Sequence, residues 1–220
     1  MIFDGFTHLF FDFDGTLCES ELDIRLAWAQ TFAAIGRKLP DNMDIIFKNG
    51  PQLMPMIELL IPGVDEATKQ HVAEIYRDAY FNSPFENTVP YPWIDKMLRG
   101  LCGRGAKLFV VTNKSEYPTL RLIRKYGWEE LFTLVVCPDT DPGRHMDKTR
   151  IVEYALNHGN ARKETSLMVG DSATDIAAGH ANGLKAAGVL WGNGTKEELA
   201  AAGAEYLIAF DDLSKDFRYS

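Results

Sequence analysis

Three places in the chain put oxygen-bearing side chains where a short apolar run ends. The first is Phe11-Asp12-Phe13-Asp14-Gly15-Thr16 and the second is Val111-Thr112-Asn113-Lys114. The third is Val169-Gly170-Asp171-Ser172, followed by Asp175. Carboxylates gathered from such ends raise one another's pKa unless a cation sits among them. A donor set of oxygen, without histidine or thiolate, suits a hard ion, with Mg²⁺ the first choice. The ion also screens an acidic pocket for a phosphate. Asp12 and Asp14 flank Phe13 where the pleat gives way to a turn at Gly15, so both can face one pocket. One can attack as a nucleophile while the other works as acid and base.

These residues need elements that bring them together. Apolar runs at Thr7–Phe13, Lys107–Thr112, Leu131–Cys137, Ser166–Gly170, Lys185–Leu190 and Glu205–Phe210 are mostly continuous rather than alternating. That pattern predicts strands buried on both faces, as in a parallel sheet. Helical spacing fills the gaps. Leu120, Ile123 and Tyr126 share one face, Ile151, Val152, Ala155 and Leu156 a second, and Ile176, Ala177, His180 and Ala181 a third. Thr195 and Glu198 form a capping box for one more helix. Strand–helix alternation from about residue 90 predicts a doubly wound α/β sheet, where ligands bind beyond the carboxyl ends of the strands.

From Cys18 to about Asn87 the reading changes, because no convincing strand occurs there. Ile24, Ala27, Trp28, Thr31, Phe32 and Ile35 keep helical spacing up to Gly36. A short helix is expected after Asp41, another over Gln52–Leu60, and a longer one from the cap Asp65 with Val72, Ile75, Tyr76 and Ala79 on one stripe. Pro84 and Pro90 mark the return to the sheet, with Pro92 opening the next helix. The expected organisation is an α/β core of residues 1–17 and 88–220 with an all-α insertion at 18–87.

Asp12-Phe13-Asp14-Gly15-Thr16-Leu17 resembles the first motif of the haloacid dehalogenase (HAD) superfamily of phosphatases. Thr112 matches the second motif, Lys148 the third, and Gly170-Asp171-Ser172-Ala173-Thr174-Asp175 the fourth. Order, separations and the helical cap between the first two motifs match as well. The resemblance covers nearly the whole chain and is closest to the phosphoglycolate-phosphatase-like branch. It implies a Rossmann-like core under a cap, and a Mg²⁺-dependent phosphatase acting on a small phosphorylated substrate. By that resemblance Asp12 attacks phosphorus and forms an aspartyl-phosphate. Asp14 protonates the leaving oxygen and then activates water. Thr112 and the Asn113 amide bind phosphoryl oxygens, and Lys148 neutralises charge. Mg²⁺ is held by Asp12, the Asp14 carbonyl and Asp171, and Asp175 orients that set. Many relatives have proline after the third-motif lysine, whereas here Thr149 follows Lys148. Lys114 is the competing lysine. The same residues also suit a sugar-phosphate mutase, a pyrophosphatase, a 5'-nucleotidase or, if silent, a non-catalytic binding protein.

Other polar residues take simpler readings. Asp139, Asp141, Asp211 and Asp212 are expected in turns, and the five histidines do not cluster. Trp28, Phe32 and the Met54–Met56 pair are expected in the cap core. Gly50-Pro51-Gln52-Leu53 reads as a turn between helices and resembles a cap loop that approaches the active site in this branch. Lys48, Arg77 and Arg25 are candidate contacts for a second anionic group on the substrate. The 220 residues carry 23 Lys and Arg against 31 Asp and Glu, a formal charge of −8, which disfavours nucleic-acid polymers and anionic membranes. Three scattered cysteines, no basic leader and no membrane-length apolar run make a cytoplasmic location the expectation.

Overall fold

The computed structural model describes residues 2–41, 43 and 51–217, with side chains described as far as residue 213. Its strands are β1 (His8–Phe11), β2 (Cys18–Glu19), β3 (Val89–Pro90), β4 (Lys107–Val111), β5 (Phe132–Val136), β6 (Ser166–Gly170), β7 (Lys185–Val189) and β8 (Tyr206–Ile208). Six of them form one parallel sheet in the order β5-β4-β1-β6-β7-β8. The chain runs outward from β1 through β4 to β5, then crosses back to β6 on the other side. The reversal point is β1, and its two neighbours are the strands that end in Thr112 and Asp171. A crevice at the carboxyl edge of such a reversal is where open α/β sheets bind ligands. Register levels the three ends, since Phe11 pairs with Val110 on one side and Val169 on the other.

The helices are α1 (Glu21–Ala34), α2 (Leu53–Leu60), α3 (Glu66–Phe81), α4 (Ile94–Gly103), α5 (Glu116–Lys125), α6 (Lys148–His158), α7 (Ala173–Ala181), α8 (Lys196–Ala201) and α9 (Phe210–Phe217). Both sheet faces are covered. Leu9 and Phe11 face the core shared with α4 and α5, while Phe10 faces the core shared with α6 and α7. Phe10 stacks on Phe109 across neighbouring strands, with centroids 4.5 Å apart. Burial on both sides is why these strands read as continuous apolar runs. The edge strand β5 is less buried, with Thr133 exposed.

A third core belongs to the insertion, where α1, α2 and α3 pack around Trp28, Phe32, Ile57 and Val72. Gly36, at φ +67°, ends α1 as expected, and Asp65 caps α3 by accepting from the Thr68 N–H at 2.9 Å. The helix expected after Asp41 lies outside the described residues except for Met43, which is buried in this core.

The structure corrects four readings. Cys18–Glu19 is a strand after all, pairing antiparallel with Val89–Pro90. A two-residue strand has too little length to show a period. Leu120 is exposed, and α5 buries Thr119, Leu122 and Ile123 instead. Ala177, His180 and Ala181 also face outward, while α7 buries Asp175, Ile176, Ala178 and Gly179. A Cβ on Gly179 would stand 2.8 Å from Met168 Cβ, so close packing on β6 selects the small face rather than the apolar one. Finally, α4 starts at Ile94 with Trp93 as its cap, two residues after Pro92. Among the described residues, no helix is long and apolar enough to cross a membrane.

Candidate active site

The three strand ends meet beneath the insertion in one cleft. Asp12, Asp14, Thr112, Lys148, Asp171 and Asp175 all line it. Asp12 directly follows β1, and its N–H donates to the Val169 carbonyl at 2.9 Å, which fixes its backbone to the sheet. Gly15, at φ +78°, makes the turn behind it. A Cβ there would lie 2.1 Å from Asp171 Oδ2, so glycine is required both for conformation and for the approach of the third strand end.

Lys148, the first residue of α6, reaches back across this edge. Its Nζ donates to Asp12 Oδ1 at 2.6 Å and pairs with Asp175 Oδ1 at 2.8 Å. Asp147 caps the helix below it, accepting from the Arg150 N–H at 2.9 Å, so Thr149 in place of proline leaves a capped start. Asp175 spends its other oxygen on the Ser172 N–H at 3.1 Å and the Ser172 hydroxyl at 2.7 Å. That capping box turns Asp175 inward and leaves it bridging Lys148 to the β6 end.

Asp171 is held from a fourth place. Asn193, in the loop after β7, donates its N–H at 2.8 Å and its side-chain amide at 3.1 Å to Asp171 Oδ2. The only sequence signal for Asn193 is its position between Gly192 and Gly194 just beyond a strand end.

Burial dominates the electrostatics. It pushes the Asp12 carboxyl up to about 7, with Lys148 opposing and Asp175 and Asp14 reinforcing. Burial, then the charges of Asp175 and Asp12, push Asp171 well above the carboxylate range, against the Asn193 N–H and Lys148. Burial disfavours the Lys148 ammonium, but Asp12 and Asp175 outweigh it and hold the group firmly protonated.

The donor set fits a hard cation. Carboxylate oxygens of Asp12, Asp171 and Asp175 lie within 4.8 Å of one another. Both Asp175 oxygens are committed to Lys148 and Ser172. Asp12 Oδ2 and Asp171 Oδ1 accept no hydrogen bond among the described residues. Two desolvated carboxylates, each with an oxygen left over, suit Mg²⁺ and its preference for oxygen.

Thr112 is buried just past β4, and its hydroxyl oxygen accepts the Lys114 N–H at 3.2 Å. Asn113 Oδ1 accepts from Gln52 Nε2 at 3.2 Å, and the same amide donates to the Met146 carbonyl at 2.7 Å. The Gln52 loop is thereby fastened across the mouth of the cleft. Lys114 does not share the Lys148 position; its Nζ is on Asp14, at 2.9 and 3.0 Å from the two oxygens, and on the Tyr80 hydroxyl. Arg77 lines the cleft, half-buried, with no ion pair among the described residues. Arg25 is engaged with Glu21 at 2.5 Å, and Lys48 lies outside the described residues.

Comparisons with known proteins agree with this geometry. A family model described as haloacid dehalogenase-like hydrolase matches residues 9–189. The chain is 32% identical over 186 residues to a phosphoglycolate phosphatase from Aquifex aeolicus, covering 84% of each. It is 27% identical to a 5'-nucleotidase from Pseudomonas aeruginosa, over 89% of this chain and 88% of the relative. The crystal structure of a predicted phosphatase from Clostridium acetobutylicum superposes with a TM-score of 0.85 at 27% identity, covering 96% of this chain and 97% of that one.

Proposed function

The chain belongs to the haloacid dehalogenase-like hydrolases, and we propose that it is a Mg²⁺-dependent phosphatase of small phosphate monoesters, phosphoglycolate-like in size. The observation that carries the reading is the Lys148 bridge. It ties up Asp12 Oδ1 at 2.6 Å, while Oδ2 of this cleft-lining residue accepts no hydrogen bond among the described residues. A nucleophile needs an unencumbered lone pair, and phosphoryl transfer needs fixed positive charge around the reacting group.

In the proposed sequence Asp12 Oδ2 attacks phosphorus. The Asp12–phosphorus bond forms as the ester bond breaks, and Asp14 gives its proton to the leaving oxygen. A water then attacks the aspartyl-phosphate and loses its proton to Asp14, which frees Asp12 and inorganic phosphate. Thr112 and the Asn113 N–H hold phosphoryl oxygens, and Lys148 balances their charge. Asp12, the Asp14 carbonyl and Asp171 hold Mg²⁺, which supplies charge neutralisation between the carboxylates and the phosphoryl group. Asp175 keeps Lys148 aimed at Asp12. Residues 18–87 act as a cap on the core of 1–17 and 88–220, excluding water while the first step proceeds. Arg77 is the cap cation available to a second anionic group on the substrate, and Lys48 a further contact from the same side. A cytoplasmic setting with small phosphorylated metabolites suits this chemistry.

A panel of phosphate esters assayed with Mg²⁺ tests the reading. Phosphate release by the wild type, and its loss in Asp12→Asn, is the expected result. Full activity in Asp12→Asn would remove Asp12 as the nucleophile.

A further inference from the structure

Asp14 is gripped by a group separate from the one that holds Asp12. Lys114 Nζ contacts both Asp14 oxygens, at 2.9 and 3.0 Å, and also donates to the Tyr80 hydroxyl. The Lys114 side chain is only 3% exposed, against 26% for Asp14. Lys114 belongs to the core, and its N–H is anchored on Thr112 Oγ1 at 3.2 Å. Tyr80 belongs to α3 in the insertion, with its ring stacked on Tyr76 at 5.5 Å and edge-on to Phe85 at 5.2 Å. One ammonium therefore connects the insertion to the carboxylate that exchanges protons.

Three contacts match the three N–H bonds of an ammonium, so Lys114 has none to spare for a substrate anion. A lysine paired with both oxygens fixes the direction of the Asp14 carboxyl group. A lone pair held in line with the water is the gain, and a misplacement of about 1 Å is enough to lose roughly a hundredfold in rate.

We infer that Lys114 and Tyr80 are positioning residues for Asp14 in the second half of the reaction, with Tyr80 acting through Lys114. The inference rests on the two-step reading above. In that half-reaction the water oxygen forms its bond to phosphorus and the phosphorus–Asp12 bond breaks. The water proton passes to Asp14, leaving inorganic phosphate and a free Asp12 carboxylate. The insertion takes part through the Tyr80 hydroxyl, since Asp14 is fully oriented only while α3 sits over the cleft.

The test uses p-nitrophenyl phosphate with Mg²⁺, because nitrophenolate leaves without needing a proton and the first step is insensitive to Asp14. Steady-state kinetics are paired with acid quenching and intact-mass detection of phosphorylated chain. In Lys114→Met, kcat is expected to fall about thirtyfold, a part of the roughly 10²–10⁴-fold that a positioned base supplies, while kcat/KM falls by less than about threefold. KM then drops with kcat, and the phosphorylated fraction at steady state rises. Tyr80→Phe, which keeps the ring and its packing, is expected to show the same split at about fivefold, consistent with the net worth of one ordinary hydrogen bond. It should add nothing in the Lys114→Met background. Parallel falls in kcat and kcat/KM, an unchanged phosphorylated fraction, or effects that multiply in the double variant would each overturn the inference alone. A wild type that neither releases phosphate nor becomes phosphorylated would overturn the parent reading and this one with it.

Discussion

Asp12 and Asp14 are separated by one residue, yet each is held by a lysine from a different part of the chain. Lys148 meets Asp12 and Asp175 inside the sheet edge, where the three side chains are 5%, 11% and 2% exposed. All three partners come from β1, α6 and α7, which pack as one unit through the shared apolar core. Lys114 meets Asp14 at the open side of the same edge and takes its third contact from α3 of the insertion. The first pair is a static charge arrangement, since nothing in it can move without opening the core. The second spans the sheet and the insertion, which meet through Ala27, Tyr80 and Phe85, so its geometry follows the seat of one on the other. A nucleophile benefits from the first kind of support. A group that must serve two steps in turn benefits from the second.

The largest break in this comparison is Asp12→Asn. Loss of the nucleophile should reduce phosphate release by roughly four orders of magnitude, comparable to knocking out one member of a catalytic unit. The protein should stay folded and keep the Lys114–Asp14 pair, which melting and a crystal structure would check. Next is Lys148→Met, which leaves Asp12 and Asp175 facing each other without a cation. Breaking a buried pair from one side costs about 3–5 kcal/mol. That corresponds to a fall in Tm on the order of 10 °C for a chain of this size. Activity should fall by roughly a thousandfold, as when a preorganised charge is removed from a reacting site. If Lys148→Met melts like the wild type, the static side of the comparison is wrong.

A smaller effect separates the two pairs by pH. In chelated protein, Asp12 titrates at about 7 rather than at 3.8. The folded state then binds more protons than the unfolded state between those values, so stability falls as pH rises through the window and levels off above it. Melting with a chelator at pH 5.5 and pH 8 should give the lower Tm at pH 8. Excess Mg²⁺ should shrink that gap, and Asp12→Asn should remove the part owed to this residue. An equal or higher Tm at pH 8 in the chelated wild type would count against a desolvated Asp12. The smallest expected effect belongs to Arg77→Ala. It should raise KM several-fold for a substrate with a second anionic group and leave kcat near wild type, the signature of lost uniform binding. A substrate panel without that second group should be indifferent to the change.

The strand ends were legible because chemistry and topology coincide there. Asp12, Thr112 and Asp171 each follow an apolar run, and a doubly wound sheet leaves one edge for all three. Lys148 was legible through its motif and its capped helix start. The inner face of α7 was not. Its buried residues are an aspartate, a glycine and two apolar residues, because Asp175 is drawn in by Ser172 and Lys148 and Gly179 by contact with Met168. An apolar pattern cannot report a face chosen for ion pairing and close approach. Tyr80 and Asn193 were hidden for another reason. Each acts on a residue far along the chain, and only folding brings α3 against Lys114 or the loop after β7 against Asp171.

The pairing of Cys18–Glu19 with Val89–Pro90 has a meaning beyond the strand it adds. Asp23, at the start of α1, reinforces it by accepting the N–H groups of Asn87 and Thr88 at 3.1 and 2.6 Å. The chain thus leaves and re-enters the sheet layer through adjacent points. To the sheet, everything between Glu19 and Val89 is the loop of a β-hairpin. A loop of that kind can grow, shrink or be exchanged while its two stems stay joined, because the entropy of closing it changes only slowly with length. The helical body over the cleft is therefore replaceable as a single part, provided the replacement restores the hydroxyl that Tyr80 gives to Lys114.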